Sequence, residues 1–302
     1  MNFSTRIALI GFAGLSLAGL APAQLGLFTK EQRIEFTREW KGERFADGRP
    51  KVPDEVLQRL ANVTAEEAWG TLRRFGFHQQ FEGGWMVINP GEKRMVGRVV
   101  TAVFMPLRPD VNAVINDYGK KEGRVGPGQN SWVIDTLVPG DVLVVDLFGK
   151  IENGTMVGDN LATSIYTKSR NGLVVHGAVR DVSGIQQIAG FRAYVRGVDP
   201  SALRDVMLMG INVPIRIGRV TVMPGDVVVS DPEGLTFIPP QLAEQVASES
   251  ELTQARDRWG HQMLREGKYT PGQIDTQWTP QMIEEFNQWA EQQGLKVRMK
   301  PR

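Results

Sequence analysis

Hydrophobic and polar positions fall into three regimes along the chain. Between Gln24 and Pro53, mixed charges with Gly and Pro punctuation predict a helix over Lys30 to Trp40, followed by an extended arm. Thr64-Ala65-Glu66-Glu67 then forms a capping box, with Thr64 as N-cap and Glu67 reaching back to it. Trp69, Leu72 and Phe75 recur at helical spacing, which predicts a core-facing stripe, and Gly76 supplies the left-handed stop. Beyond Gly97 the pattern changes to short apolar runs rich in β-branched residues. Val99 to Met105, Trp132 to Leu137, Val142 to Leu147, Leu173 to His176 and Val227 to Ser230 all read as strands. Two of them share a phrase, Pro139-Gly140-Asp141 and Pro224-Gly225-Asp226, each feeding an apolar strand that ends on an aspartate (Asp146, Asp231). Helices are expected over Asn160 to Ser169 and after Asp181. Strands alternating with helices predict an α/β domain over residues 64–240.

The third regime is helical and polar, over residues 241–302. Gln241 to Glu266 should form one or two helices. Thr279 and Pro280 are an N-cap followed by proline at the first helical position. Ile283, Phe286 and Trp289 then make one apolar face, and Gly294 ends the helix. That stripe must lie against its own chain or a neighbouring subunit.

The first residues change the compartment. Arg6, the uncharged run Ile7 to Leu20 and the small-x-small triplet Ala21-Pro22-Ala23 have the order of a secretory signal peptide. The run falls short of the roughly 20 residues of a membrane span. Residues 1–23 are therefore expected to be removed on export to the periplasm. Residues 24–63 would form the arm, and no membrane contact would remain after cleavage. The 302 residues are 41% hydrophobic and 23% charged, as in a globular protein. Loss of the signal removes Arg6 alone from 35 basic residues, leaving 34 against 34 acidic ones. Such balance gives no footprint for nucleic acid or anionic lipid. With no cysteine, thiolate centres are excluded, and a multi-histidine centre would need all three histidines (His78, His176, His261). A metal here would be a hard cation on oxygen ligands.

Candidate chemistry gathers in two segments. Gly158-Asp159-Asn160-Leu161-Ala162 ends a loop and starts a helix, whose free N–H groups suit an oxyanion. Val174 to Asp181 is a buried strand with a Gly177-Ala178 step that presents Arg180 and Asp181 at its end. A strand end facing a helix start is a common ligand position in α/β folds. Arg180 offers a planar fork for a carboxylate, and Asp181 a hard oxygen for a divalent cation.

The spacing of Asp159, twenty residues and then Arg180-Asp181 resembles the Asp-x20-Arg-Asp signature of the RraA-like family and its class II pyruvate aldolases, the 4-hydroxy-4-methyl-2-oxoglutarate aldolase group. The likeness extends to Gly97-Arg98-Val99-Val100-Thr101-Ala102, Asp141 to Asp146, Asn212-Val213-Pro214, and Pro224-Gly225-Asp226 through Asp231 to Gly234. It covers about Thr64 to Ala255, leaving the arm and the tail outside.

The resemblance implies a swivelling-type α/β domain with a mixed sheet and flanking helices, extended here by a helical C-terminus. It also implies a homotrimer or a dimer of trimers with sites at subunit boundaries. By the same resemblance Asp181 holds Mg²⁺ or Mn²⁺ largely through water. Arg180 binds the keto-acid end of the substrate and assists protonation, and Asp159 orients that arginine and a water. Gly158, Asn160 and the Leu161-Ala162 backbone form the carboxylate site. Three positions depart from the family pattern: His176 replaces a frequent aspartate, Gly184 an acid, and Arg192 a proline. His176 is a candidate titrating catalytic group as well as a packing residue. Asp257 and Glu251 are candidates for the acid that a neighbouring subunit contributes in the aldolases.

The expected function is thus a metal-dependent lyase that cleaves or decarboxylates a 2-oxo acid, or a related hydroxy-carbonyl compound, through an enolate. Two alternatives keep the fold. One is an eliminase or hydratase acting on a modified sugar or aromatic catabolite with the same Arg-Asp site; the other is a non-catalytic periplasmic binding protein. Ribonuclease inhibition, known within the family, would need a cytoplasmic target that export puts out of reach.

Overall fold

The computed structural model describes residues 28–300, apart from Val125 and Pro127. The export signal read from Arg6 to Ala23 lies outside the described residues. No helix among those described is long and apolar enough to cross a membrane.

The chain opens with α1 (Lys30–Phe36), capped by Thr29 and Gln32, then α2 (Asp54–Leu60) and α3 (Ala65–Arg74). The Thr64–Glu67 capping box starts α3 with both reciprocal hydrogen bonds in place. Its buried face is not the one expected. Ala65, Ala68, Thr71 and Leu72 are covered, while Trp69 and Phe75 are 42% and 48% exposed. Alanines sit inward because α3 lies against the long C-terminal helix, where small side chains allow close approach. Trp69 instead stacks under the Arg73 guanidinium.

Two short strands, β1 (Phe81–Gly83) and β2 (Met86–Ile88), lead to β3 (Val96–Pro106), α4 (Pro109–Lys121) and α5 (Gln129–Ile134). Helix α5 replaces the strand expected over Trp132 to Leu137. A short run that is apolar on every side reads alike for either state, and here Trp132 and Val133 turn inward from a helix that starts at Gly128. Next come β4 (Asp141–Thr155), α6 (Asp159–Ser169), β5 (Leu173–Val179), the single-turn α7 (Val182–Ile185), β6 (Ala193–Val198) and β7 (Val206–Ile211). The hairpin of β8 (Ile215–Ile217) and β9 (Val220–Val222) precedes β10 (Val227–Ser230) and β11 (Gly234–Ile238). The C-terminal helices are α8 (Ala243–Arg265), α9 (Pro271–Ile274) and α10 (Pro280–Gln292).

The main sheet is mixed, in the order β1-β11-β10-β3-β4-β5-β6-β2, with β7 joining β3 beyond β10. Strands β3, β4, β5 and β6 run parallel, and every other pairing is antiparallel. Successive side chains on a strand face opposite sides, so each β-branched run feeds two cores. Val100, Leu143, Val145, Val175 and Val179 meet helices α4 to α7. Val99, Val142, Val144 and Val174 meet the β8–β9 hairpin. Each fully buried valine or leucine contributes on the order of 1.5–3 kcal/mol relative to exposure.

The two Pro-Gly-Asp turns flank the start of β3 and share one construction. Asp141 accepts from the Val138 N–H at 3.1 Å, and Asp226 from the Met223 N–H at 2.8 Å. Both aspartates are buried, but only one meets a cation. Arg49, from the arm, donates to both oxygens of Asp141 at 2.9 and 3.2 Å. Burial pushes the Asp226 carboxyl up to about 8, against the Met223 hydrogen bond that lowers it. The arm itself is fastened by Arg33, which donates to the carbonyls of Phe28, Asp47 and Asn212.

The apolar stripe on α10 packs within its own chain. Phe286 and Ile283 join Trp259 and Met263 of α8, and Trp278, in a separate aromatic core. That stripe therefore gives no reason to expect a subunit contact.

Candidate functional site

Two backbone hydrogen bonds bring the candidate segments together. Met156 donates to Ala178 at 2.8 Å, and Arg180 donates to Val157 at 3.0 Å. The end of β5 thus lies beside the loop that becomes α6. Asp181 follows in the left-handed region, φ 54° and ψ 41°, a conformation that aspartate tolerates better than most residues. This turn starts α7: the Asp181 carbonyl accepts from Gly184 and Ile185, while its side chain caps nothing.

Gly158 makes the approach possible. A Cβ there would lie 2.3 Å from Asp181 Oδ2 and 3.2 Å from Arg180 Nε. Its φ of −106° is open to any residue, so the glycine is required by close contact and not by backbone geometry. Gly184 has a parallel explanation. A Cβ at that position would meet Asp159 Oδ2 at 2.7 Å and Asp159 Cβ at 2.8 Å. Asp159 thus fills the space that a side chain at position 184 would need.

Arg180 and Asp181 are about half-exposed, with Nε and Oδ2 3.5 Å apart, an ion-pair contact longer than a good hydrogen bond. Asp159 accepts from the Asn160 N–H at 2.8 Å. Ala162 is buried, and its N–H is taken by the Gly158 carbonyl at 3.0 Å. Of the expected backbone donors, this leaves Leu161, which lines the cavity next to Arg180 and Gly158. No side chain caps α6.

The structure does not bring His176 to this group. It shares strand parity with Val174, so it projects to the sheet face opposite the one on which Val175 and Val179 pack. Its partner there is Asp146, with Nδ1 3.6 Å from Oδ1. Arg192, the other departure, is buried and donates to the carbonyls of Asn89, Pro90 and Glu92, holding that turn in place. Glu251 is committed to Arg59 within the chain, whereas Asp257 stands exposed on α8.

A cavity of about 300 Å³ opens from Arg180 and Gly158 between α4, α5 and α6. Its walls include Phe104, Met156, Leu161 and Val206, and beside them the carboxamides of Asn112, Asn116, Gln129 and Asn130. The sequence reading missed this amide group. Its one local signal is the four-residue spacing of Asn112 and Asn116 on a helix face.

Among the described residues no cluster of three or more His, Asp or Glu side chains could cage a metal. The donors present suit a different arrangement: one half-exposed carboxylate, Asp181, held only by the 3.5 Å contact to Arg180, fitting a hard cation that keeps most of its water.

A family model described as RraA-like, Aldolase/RraA, matches residues 52–237. A Halalkalibacterium halodurans protein with the provisional name 4-hydroxy-4-methyl-2-oxoglutarate aldolase is 34% identical over 137 residues, which cover 44% of this chain and 64% of that protein. Protein DlpA of Legionella pneumophila is 28% identical over 198 residues, 65% of this chain but 29% of its own length. The chain thus spans less than two thirds of either relative. The crystal structure of Streptomyces coelicolor RraAS2, described as an unusual member of the RNase ES inhibitor RraA protein family, superposes with a TM-score of 0.57 at 25% identity. That match covers 73% of this chain and all of RraAS2. By its sequence match and its mixed-sheet α/β fold, the chain belongs to the RraA-like family.

Proposed function

We propose that this protein is a divalent-metal-dependent carbon–carbon lyase acting on a 2-oxo acid, exported to the periplasm by the segment around Arg6 and Ala21-Pro22-Ala23. The observation that carries the reading is the placement of Arg180 and Asp181 against Gly158, at the mouth of a cavity large enough for a small acid. Arg180 holds the substrate carboxylate or keto oxygen with its planar fork. The Leu161 N–H, at the uncapped start of α6, offers a second contact to the same end. Retro-aldol cleavage breaks the bond between C3 and C4 and leaves its electron pair as an enolate; the C4 hydroxyl passes its proton to a water as it becomes a carbonyl, and the enolate takes a proton back at C3 to give pyruvate. The positive charge of Arg180 lies where the enolate oxygen develops, which lowers the barrier. Mg²⁺ or Mn²⁺, held by Asp181, would supply further positive charge at that oxygen. Decarboxylation of an oxaloacetate-type acid yields the same enolate. Assembly as a homotrimer or dimer of trimers is part of this reading, on the strength of family resemblance.

The test is release of pyruvate from 4-hydroxy-2-oxo acids or oxaloacetate, with Mg²⁺ or Mn²⁺ and then with chelator. Asp181→Asn keeps a side chain that tolerates the left-handed turn, and is expected to abolish metal dependence with the fold intact. Arg180→Lys should lose on the order of 10²–10³ in rate. An Asp181→Asn protein with full metal-dependent turnover would overturn the assignment. A second reading, binding without turnover, is favoured by the lack of a caging carboxylate cluster among the described residues. It predicts ligand affinity with no product.

A further inference from the structure

The amide wall of the cavity carries information about the substrate beyond the keto-acid head. Gln129 is nearly buried, and its side-chain orientation is set by the backbone. The Leu208 N–H donates to Gln129 Oε1 at 2.6 Å, which assigns the oxygen and leaves the Nε2 amino group to donate elsewhere. It does so twice, to Asn112 Oδ1 at 2.7 Å and to Asn116 Oδ1 at 3.0 Å. Both asparagines are thereby fixed with their oxygens occupied and their Nδ2 amino groups unused by the chain. Asn130 is locked as well, donating to the Met156 carbonyl at 2.8 Å and accepting from the Ser131 N–H. One wall of the cavity thus presents neutral amide donors in a fixed orientation.

Charge sharpens the point. Arg180 is the single cationic residue among the described residues that line the cavity. Asp159 and Asp181 beside it leave this group one negative charge in balance, and a divalent ion would turn that to one positive. A substrate with one carboxylate neutralises it. A second carboxylate at the amide end would be desolvated with no cation to meet it, which is costly. Hydroxyl oxygens accept from Asn112 and Asn116 without that penalty.

We propose that the substrate carries a neutral, hydroxylated tail, as in a 2-oxo sugar acid, and that Asn112 and Asn116 select it against a dicarboxylate. This rests on the reading of the Arg180–Asp181 end as the site of the 2-oxo acid head, and it adds the identity of the other half.

Binding tests the selectivity without relying on turnover. D-gluconate and 2-hydroxyglutarate share a 2-hydroxy acid head and differ in a neutral polyol or a charged tail. Calorimetry on the full chain with Mg²⁺ is expected to give gluconate an advantage of about tenfold or more, the size of one to two hydrogen bonds lost on the wrong ligand. Asn116→Lys places a cation at the amide wall and should reverse the order, while Asn112→Ala and Asn116→Ala should each weaken gluconate and leave 2-hydroxyglutarate unchanged. Equal affinities, tighter 2-hydroxyglutarate, or no binding of either would overturn the proposal. Turnover separates it from the lyase reading. Preference for gluconate with no cleavage of any 2-oxo acid removes the lyase and keeps the selectivity, whereas cleavage confined to dicarboxylates keeps the lyase and removes the selectivity.

Discussion

Replacing Gly158 by alanine should damage the site while sparing the fold. The added Cβ would lie 2.3 Å from Asp181 Oδ2, and a carbon and an oxygen pack comfortably only near 3.3 Å, so the carboxylate must retreat by about 1 Å. Arg180 Nε, 3.2 Å from the same point, has little slack to follow. A misplacement of about 1 Å in a reacting constellation can cost on the order of 10² in rate. Stability should move the other way or not at all. The backbone of Gly158 is extended, with φ −106° and ψ −166°, and alanine adopts it without strain. Fewer unfolded conformations then favour the native state by about 0.4–1 kcal/mol, offset by whatever the displaced, half-exposed Asp181 side chain loses. The measurements are pyruvate release coupled to lactate dehydrogenase, a Mg²⁺ titration of that rate, and a urea unfolding curve. Wild-type activity and Mg²⁺ dependence in Gly158→Ala would refute the idea that this glycine exists to admit Asp181. A large loss of stability would refute the claim that its backbone is ordinary.

Arg49→Leu strands Asp141 in the interior, and breaking a buried pair on one side costs about 3–5 kcal/mol. The urea midpoint should fall accordingly, and the double variant Arg49→Leu with Asp141→Asn should recover much of it; an unchanged midpoint in the single variant would argue against the pair. Asp226 titrates near 8 in the folded chain against an ordinary 3.8. The folded state therefore keeps a proton that the unfolded state releases, and stability declines as pH rises from about 4 to about 8. Asp226→Asn should flatten that window and exceed the native chain in stability above pH 8, read from urea midpoints at pH 5, 7 and 9. His176→Asn should leave the pH–rate profile unmoved, because His176 pairs with Asp146 and does not line the cavity beside Arg180; a shifted profile would reinstate it as a participant.

How legible each feature was in the sequence depends on how local its cause is. Val227 to Ser230 reads as a strand to the residue, because a β-branched run between two turns has few other solutions. Trp132 to Leu137 looks equally strand-like and begins as the end of a helix, since side chains buried on all sides carry no period. Trp69 and Phe75 have the spacing of an inner face of α3, yet a neighbouring helix too close for aromatics turns alanines inward. The Arg180–Asp181 end of the site was legible because one turn builds it. His176, four residues earlier, looks like a neighbour, but it pairs with Asp146 and does not line the cavity beside Arg180. The asparagine pair was out of reach of any local pattern. Its role depends on Gln129, whose orientation is set by a backbone N–H in a strand nearly eighty positions later.

Helix α8 couples the two ends of this molecule mechanically. Its 23 residues extend about 35 Å. Ala243, Val246 and Ala247 at one end are buried with α2, α3 and the sheet, and Ala255, Trp259 and Met263 at the other lie in the aromatic core with α9 and α10. No linker separates the two cores, so the C-terminal module is a lever arm and not a tethered domain. A tilt imposed on Trp278 or Phe286 reaches α3 as rigid displacement instead of being absorbed in a loop. A protein fused behind α10 would accordingly be carried at a set angle to the main sheet, which makes this end of the chain a natural mounting point for ordered arrays.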